Sequence, residues 1–175
     1  MSNQELGASA TATSSLRHFI IVTIGRRYLA FEAGSTKELL TVQELEHSEN
    51  PEIRGVVDKT VYLIMQLNLT DVPIRPETPV VILADQGIQC SLRVSHIHGR
   101  LEIHPSQILP LPAHFRSVER QWYRGMILFE QSVAFILNPT WVLEERAGSD
   151  VAHEQRIDLS FMDVQDSAAA ERRAC

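Results

Sequence analysis

Phe19-Ile20-Ile21-Val22-Thr23-Ile24-Gly25-Arg26-Arg27-Tyr28-Leu29-Ala30-Phe31 is a β-branched run, a break at Gly25-Arg26, and a second stretch alternating apolar residues. A short strand, a glycine turn and an alternating strand predict a hairpin. The same grammar continues outward. Val56-Val57 and Val61-Tyr62-Leu63-Ile64-Met65 flank Asp58-Lys59-Thr60, which predicts a second hairpin. Val80-Val81-Ile82-Leu83-Ala84 reads as a buried strand, Asp85-Gln86-Gly87 as a turn, and Gln89 to Val94 as the returning strand with Cys90, Leu92 and Val94 on one face. Leu101-Glu102-Ile103 is a short strand stopped at His104-Pro105. Tyr123 to Phe129, the turn Glu130-Gln131-Ser132 and Val133 to Leu137 predict a last hairpin.

Between these units, Ser35-Thr36-Lys37-Glu38-Leu39-Leu40 is expected to form one helical turn capped by Ser35 or Thr36. Pro73, Pro76 and Pro79 exclude helix and regular sheet interior over residues 72–79, which predicts a surface connection. Pro139 is suited to the first turn of a short final helix, Thr140 to Glu145. Segments of helical period long enough for βαβ crossovers are missing, so barrels or a sandwich are expected rather than a parallel α/β fold.

The chain has 175 residues, 44% apolar and 22% charged, which suits one compact domain or two small subdomains sharing a core. A net charge of −6 with scattered basic residues argues against a nucleic-acid binder. Cys90 and Cys175 lack any paired spacing, so neither a disulfide framework nor a cysteine zinc site is suggested; Cys90 is expected in the core. No apolar run approaches the ~20 residues of a bilayer span, and no signal-peptide pattern is present, so the cytoplasm is the expected location. Residues 1–16 read as a flexible leader and residues 144–175 as a polar tail, disordered or weakly helical. The domain itself is expected over 17–143.

The ordered series of these segments resembles the CheW-like domain of bacterial chemotaxis coupling proteins. Phe19 to Tyr28 is similar to the family's opening hairpin, Ile53-Arg54-Gly55-Val56-Val57 to the lead-in of its central hairpin, and Val61 to Leu67 to the strand that follows. Thr78 to Leu83, Val94-Ser95-His96-Ile97, Ile103 to Pro112, Gly125 to Leu128 and Val133 to Asn138 continue the likeness in order. The resemblance implies a mostly-β fold of two interleaved five-stranded SH3-like barrels with a hydrophobic core between them. It further implies a non-catalytic signal-transduction adaptor, without cofactor, that docks on the regulatory domain of a CheA-type histidine kinase and on the cytoplasmic tip of a chemoreceptor.

The resemblance also marks a partner-binding surface: Lys37, Glu38, Leu39 and Leu40, with Val56, Val57, Asp58 and Lys59 around the central hairpin, bordering the groove between the barrels. Leu39 and Leu40 have an equally good reading as plugs at a barrel end. The sequence departs from the family where Asn-Leu-Arg-Gly usually forms the central turn and its arginine serves receptor binding; Asp58-Lys59-Thr60 stands there instead. Gln66 and Ser95 replace two family aspartates. Lys59 keeps a positive charge at the expected turn tip, but an ammonium does not reproduce guanidinium geometry. The expectation is therefore a retained fold with drifted receptor chemistry, serving a specialised partner or another assembly.

One competing reading comes from the histidines. His96 and His98, two apart on a strand, share a face, and Glu102, His104 and His114 are near in sequence. Imidazoles with a carboxylate suit zinc, iron or manganese, and the spacing resembles the first half of a cupin motif, which would make a metal-dependent β-barrel enzyme. The cupin glycine and the later Pro-x-Gly-x-x-His element are absent, which favours surface histidines. No serine-elbow motif and no phosphate-cradling glycine loop is present. Trp122 and Tyr123, beside Arg120 and Arg124, are expected to close the core at the start of the last hairpin rather than to stack a partner.

Overall fold

The computed structural model describes residues 15–144. The tail, Cys175 and almost all of the expected leader lie outside them. Among the described residues nine strands form two sheets: β1 (Arg17–Ile24), β2 (Arg27–Glu32), β3 (Thr36–Thr41), β4 (Val57–Asp58), β5 (Pro79–Asp85), β6 (Ile88–Arg93), β7 (His96–Ile103), β8 (Tyr123–Phe129) and β9 (Ser132–Leu137). The first sheet has the order β7-β1-β2-β9-β8 and the second β3-β5-β6-β4. The chain therefore starts in one sheet, builds the second, and returns to the first, which is the interleaved path expected of the fold. A parallel pairing of β2 with β9, Tyr28 against Ala134 and Ala30 against Ile136, joins the early and late parts of the first sheet.

The alternation in the opening hairpin sorts its side chains between two cores. Phe19 and Ile21 point into a cluster with Ala30, Ile103, Ile127, Ala134 and Ile136 inside the first sheet. Val22 and Ile24 point the other way, into the largest cluster, with Leu29 and Phe31 of β2 and Val81, Leu83, Cys90 and Leu92 of the second sheet. That core lies between the sheets, as expected. β5 is buried on both faces, since Val80 and Ile82 enter a third cluster with Val42, which explains its unbroken apolar run. The predicted turns hold: Gly25 has φ +60°, Gly87 φ +81°, and Glu130 and Gln131 occupy left-handed conformations at the β8–β9 turn. The short last helix, α5 (Pro139–Glu144), begins at the proline and runs to the last described residue; the earlier helices are numbered α1 to α4 below.

Two local expectations are corrected. Residues 36–40 form no helical turn; Thr36–Thr41 is strand β3, hydrogen-bonded along β5 with Leu39 opposite Val81 and Leu40 opposite Val80. Only the tight turn Ala33–Ser35 before it is helical. A sheet edge waiting to be paired overrides a weak local cap. After β3 come two short helices, α1 (Val42–Glu46) and α2 (Pro51–Arg54), each with a side-chain cap, Thr41 and Asn50 respectively.

The central hairpin is likewise absent. Val57–Asp58 is a two-residue strand that pairs in parallel with β6, and Thr60–Leu67 is α3, an α-helix. Thr60, Leu63 and Leu67 are its buried residues, three and four apart, while Val61 and Met65 face out. That is the helical period, and it was hidden in a run in which nearly every residue is apolar. Asn68 ends the helix in a left-handed conformation (φ 50°), its N–H donating to the Ile64 and Met65 carbonyls. The second sheet consequently has four strands where five were expected. One further helical turn, α4 (Glu119–Trp122), leads into β8.

Candidate adaptor surface and the Asp58-Lys59-Thr60 corner

Asp58-Lys59-Thr60 is a corner rather than a hairpin tip. Asp58 Oδ1 accepts the Thr60 backbone N–H at 2.8 Å and also the Thr60 hydroxyl. The same hydroxyl accepts the Arg93 backbone N–H at 2.8 Å. Asp58 Oδ2 pairs with the Arg93 guanidinium at 2.9 Å, where the arginine side chain is 11% and the aspartate 41% exposed. Strand β4, the start of α3 and the end of β6 are thereby fastened at one point.

Lys59 does not project from a turn. Its ammonium donates to the Val142 carbonyl at 2.7 Å and the Leu143 carbonyl at 3.3 Å. A cation placed there gives two α5 carbonyls a charged donor. The positive charge expected at a receptor-facing tip instead holds α5 against the β4–α3 corner.

The other expected contact residues divide by exposure. On β3, Leu40 packs against the third core cluster, whereas Leu39 is 42% exposed. The plug reading thus applies to Leu40 and not to Leu39. Glu38 is half-buried. Lys37 is tied to Glu52 Oε2 at 2.8 Å and to Gln89 Oε1 at 3.1 Å, linking β3 to α2 and β6. The ammonium holds the Glu52 carboxyl below its ordinary pKa. Val56 packs inward while Val57 is exposed on β4. Sequence reading missed Val61 and Met65, whose exposed apolar side chains sit one turn apart on α3, Met65 at 74%. Their four-residue spacing was the only signal, and it appears only once the segment is known to be helical.

Ser95, in place of a family aspartate, has a structural role of its own. Its Oγ accepts the Gly25 N–H at 2.9 Å and its N–H donates to the Thr23 carbonyl at 2.7 Å. It pins the opening hairpin turn. Gln66 is exposed near the end of α3.

The histidines come together in part. His96 and His98 have ring centroids 4.7 Å apart at the start of β7. A register shift opposite Ile21 and Val22 occurs there, with Gly99 at φ +119°. His98 is wedged between Tyr28 and Phe129, at 5.2 and 5.5 Å. Glu102 lies further along the strand, 3.1 Å from His18 Nδ1 and 3.9 Å from Arg100. His104 caps the turn Pro105–Gln107, accepting from the Ser106 N–H, and His114 packs on Phe115. Among the described residues no group of three or more histidine, cysteine or acidic side chains is placed to hold a metal ion. The ligand set of the enzyme reading is therefore not assembled.

Cys90 is fully buried on β6, and burial pushes its thiol up to about 12, against a smaller lowering by Lys59. Reactive cysteines need thiolate and access, and Cys90 has neither. In native protein at pH 8, Cys90 is expected to react with a thiol reagent only at the rate of unfolding; mass spectrometry of the labelled peptides checks this. The unfolded thiol ionises at its ordinary, lower pKa, so the folded chain holds the proton longer. This group's contribution is present below the unfolded pKa and falls as pH rises towards about 12.

With this geometry described, comparison with known proteins places it. A family model for the CheW-like domain matches residues 18–147. That span is most of the chain, and the protein belongs to the CheW-like domain family. Among solved structures, the scaffolding protein TtCheW from Thermoanaerobacter tengcongensis shares the fold at a TM-score of 0.54 and 14% identity, over 70% of this chain and 89% of the other. A search of curated proteins found no match. Among the described residues, no helix is long and apolar enough to cross a membrane.

Proposed function

We propose that this protein is a non-catalytic adaptor of a chemotaxis-type signalling assembly, binding the regulatory domain of a CheA-type histidine kinase and coupling it to a chemoreceptor tip or to another assembly. The observation that carries this reading is the family match over residues 18–147, which takes in both sheets and the core between them. The structural relative named as a scaffolding protein supports the same class of role. Adaptors work through exposed apolar side chains on rigid elements. β3 supplies one at Leu39, on a strand whose outer edge is unpaired in the second sheet.

Within that reading, Leu39 and Val57 are the contact residues, Lys37 and Glu38 flank Leu39, and Leu40, Val56, Asp58 and Lys59 support the surface from behind. Ordinary receptor coupling is the weaker half of the proposal, because the arginine turn is replaced by a corner whose polar groups bond within the chain.

Titration calorimetry of the full chain against a purified CheA-type regulatory domain tests it. Leu39→Asp is expected to weaken binding by about tenfold or more, with the thermal midpoint within about 2 °C of the parent. No binding by the parent chain would sink the kinase reading, and a large drop in midpoint would place Leu39 in the core.

A further inference from the structure

Beside the last hairpin, away from the β3 surface, lies a cavity of about 450 Å³ between the start of β2, the end of α3 and the connection that precedes β8. Its wall includes Phe115, Tyr123 and Phe135, mutually packed with ring centroids 6.2, 5.7 and 5.0 Å apart. Trp122 extends the wall, 6.3 Å from Tyr123. The size is at the lower end of small-ligand sites, and an aromatic wall of this kind suits a flat apolar body.

The polar groups of the cavity favour an anion. Tyr123 is 4% exposed, and its hydroxyl, beside Arg27, donates to no acceptor among the described residues. A buried donor left without an acceptor is costly and signals a missing one. Burial raises the pKa of this phenol and keeps it protonated, and Arg27, which lines the same cavity beside the hydroxyl, opposes that rise. One Arg27 N–H donates to the Leu67 carbonyl at 3.1 Å, and a guanidinium carries five such donors. The one acid of the lining, Glu119, is occupied by Arg116: its carboxylate accepts from the Arg116 backbone at 2.8 Å and from the guanidinium at 3.2 Å. That pairing offsets the charge of the Glu119 carboxylate with Arg116, and His114 lines the cavity as well.

We propose that this cavity binds a small carboxylate with a flat aromatic body, the acid group meeting Tyr123 Oη and Arg27 and the ring lying on Phe115 and Phe135. A carboxylate accepts from both groups at once, and it supplies the acceptor that the buried phenol lacks. The same acid group on a partner's side chain shares this chemistry, but a cavity of this size with three packed rings in its wall fits a free planar molecule.

The test uses the full chain, labelled with ¹⁵N, and follows the indole N–H signals of its two tryptophans, Trp122 and Trp141. Benzoate and 2-naphthoate are the probes, with benzamide and inorganic phosphate as controls. Both acids are expected to shift the Trp122 signal saturably, benzamide and phosphate far less. Tyr123→Phe, which keeps the ring, and Arg27→Met are each expected to weaken the acids by about tenfold. Absence of a saturable shift at millimolar acid overturns the proposal. So does phosphate binding as well as benzoate, or an affinity unchanged in Tyr123→Phe. A kinase domain that shifts Trp122 when neither acid does overturns it in favour of a protein contact. Kinase binding at Leu39 is read separately, so the two results stand apart.

Discussion

Leu63→Ala is expected to destabilise the protein by about 3 kcal/mol, while Val61→Ala and Met65→Ala each change stability by less than about 0.5 kcal/mol. Leu63 is fully buried against the core between the sheets, whereas Val61 and Met65 face solvent. In a strand, residues 61, 63 and 65 would share one face and all three substitutions would cost alike. The helix turns 63 and 67 inward and 61 and 65 outward. Chemical denaturation of the three variants therefore reads out the secondary structure of the segment as well as its packing. Equal losses at 61, 63 and 65 would restore the hairpin and remove α3.

Asp58→Ala is expected to cost about 2 kcal/mol, because it removes the acceptor for the Thr60 N–H and hydroxyl and leaves the Arg93 guanidinium without its carboxylate. The loss is smaller than for a fully buried pair because Asp58 is 41% exposed and water screens it. Asp58→Asn keeps the Oδ1 acceptor and should lose less. Adding Arg93→Met to Asp58→Ala should recover part of the loss, since the unpaired charge goes with the arginine. Thermal unfolding of the parent and these variants, with Arg93→Met alone to close the cycle, checks this. Simple additivity of the single losses would show that the pair is not coupled. The result bears on function, since it separates a corner kept for stability from a turn kept for a partner.

Much of the fold was legible because strands announce themselves twice, by alternation and by their turns. The opening and closing hairpins and the β5–β6 pair rest on local signals: glycine or left-handed turn residues, and side chains sorted two by two. The helical start at Pro139 was equally local. The segment Val61 to Leu67 was not, because a continuous apolar run of that length suits a buried strand or a buried helix. Thr36 to Thr41 failed for the opposite reason: a polar stretch with a plausible cap becomes a strand when an edge beside it needs hydrogen bonds.

The candidate site was legible by composition more than by arrangement. Leu39 is exposed, and Leu40, its neighbour, points inward; the alternation of β3 separates them once the strand is known. The direction of Lys59 could not be read, since its partners are carbonyls 83 and 84 residues away in sequence. The cavity beside β8 draws on residues 27, 115, 123 and 135, which no local pattern joins.

By itself, the sequence determined that this is a mostly-β chain with two sheets' worth of strands, no paired cysteine spacing, and the ordered motifs of the CheW-like family. Those properties follow from short-range chemistry: branching at Cβ, turn conformations and the period of two. Tertiary structure alone decided that the central segment is a helix, that Asp58-Lys59-Thr60 bonds to Arg93 and α5 within the chain, and that the buried Tyr123 hydroxyl lacks an acceptor. In each case the deciding partner is far along the chain, and burial between two sheets outweighs what the neighbouring residues prefer.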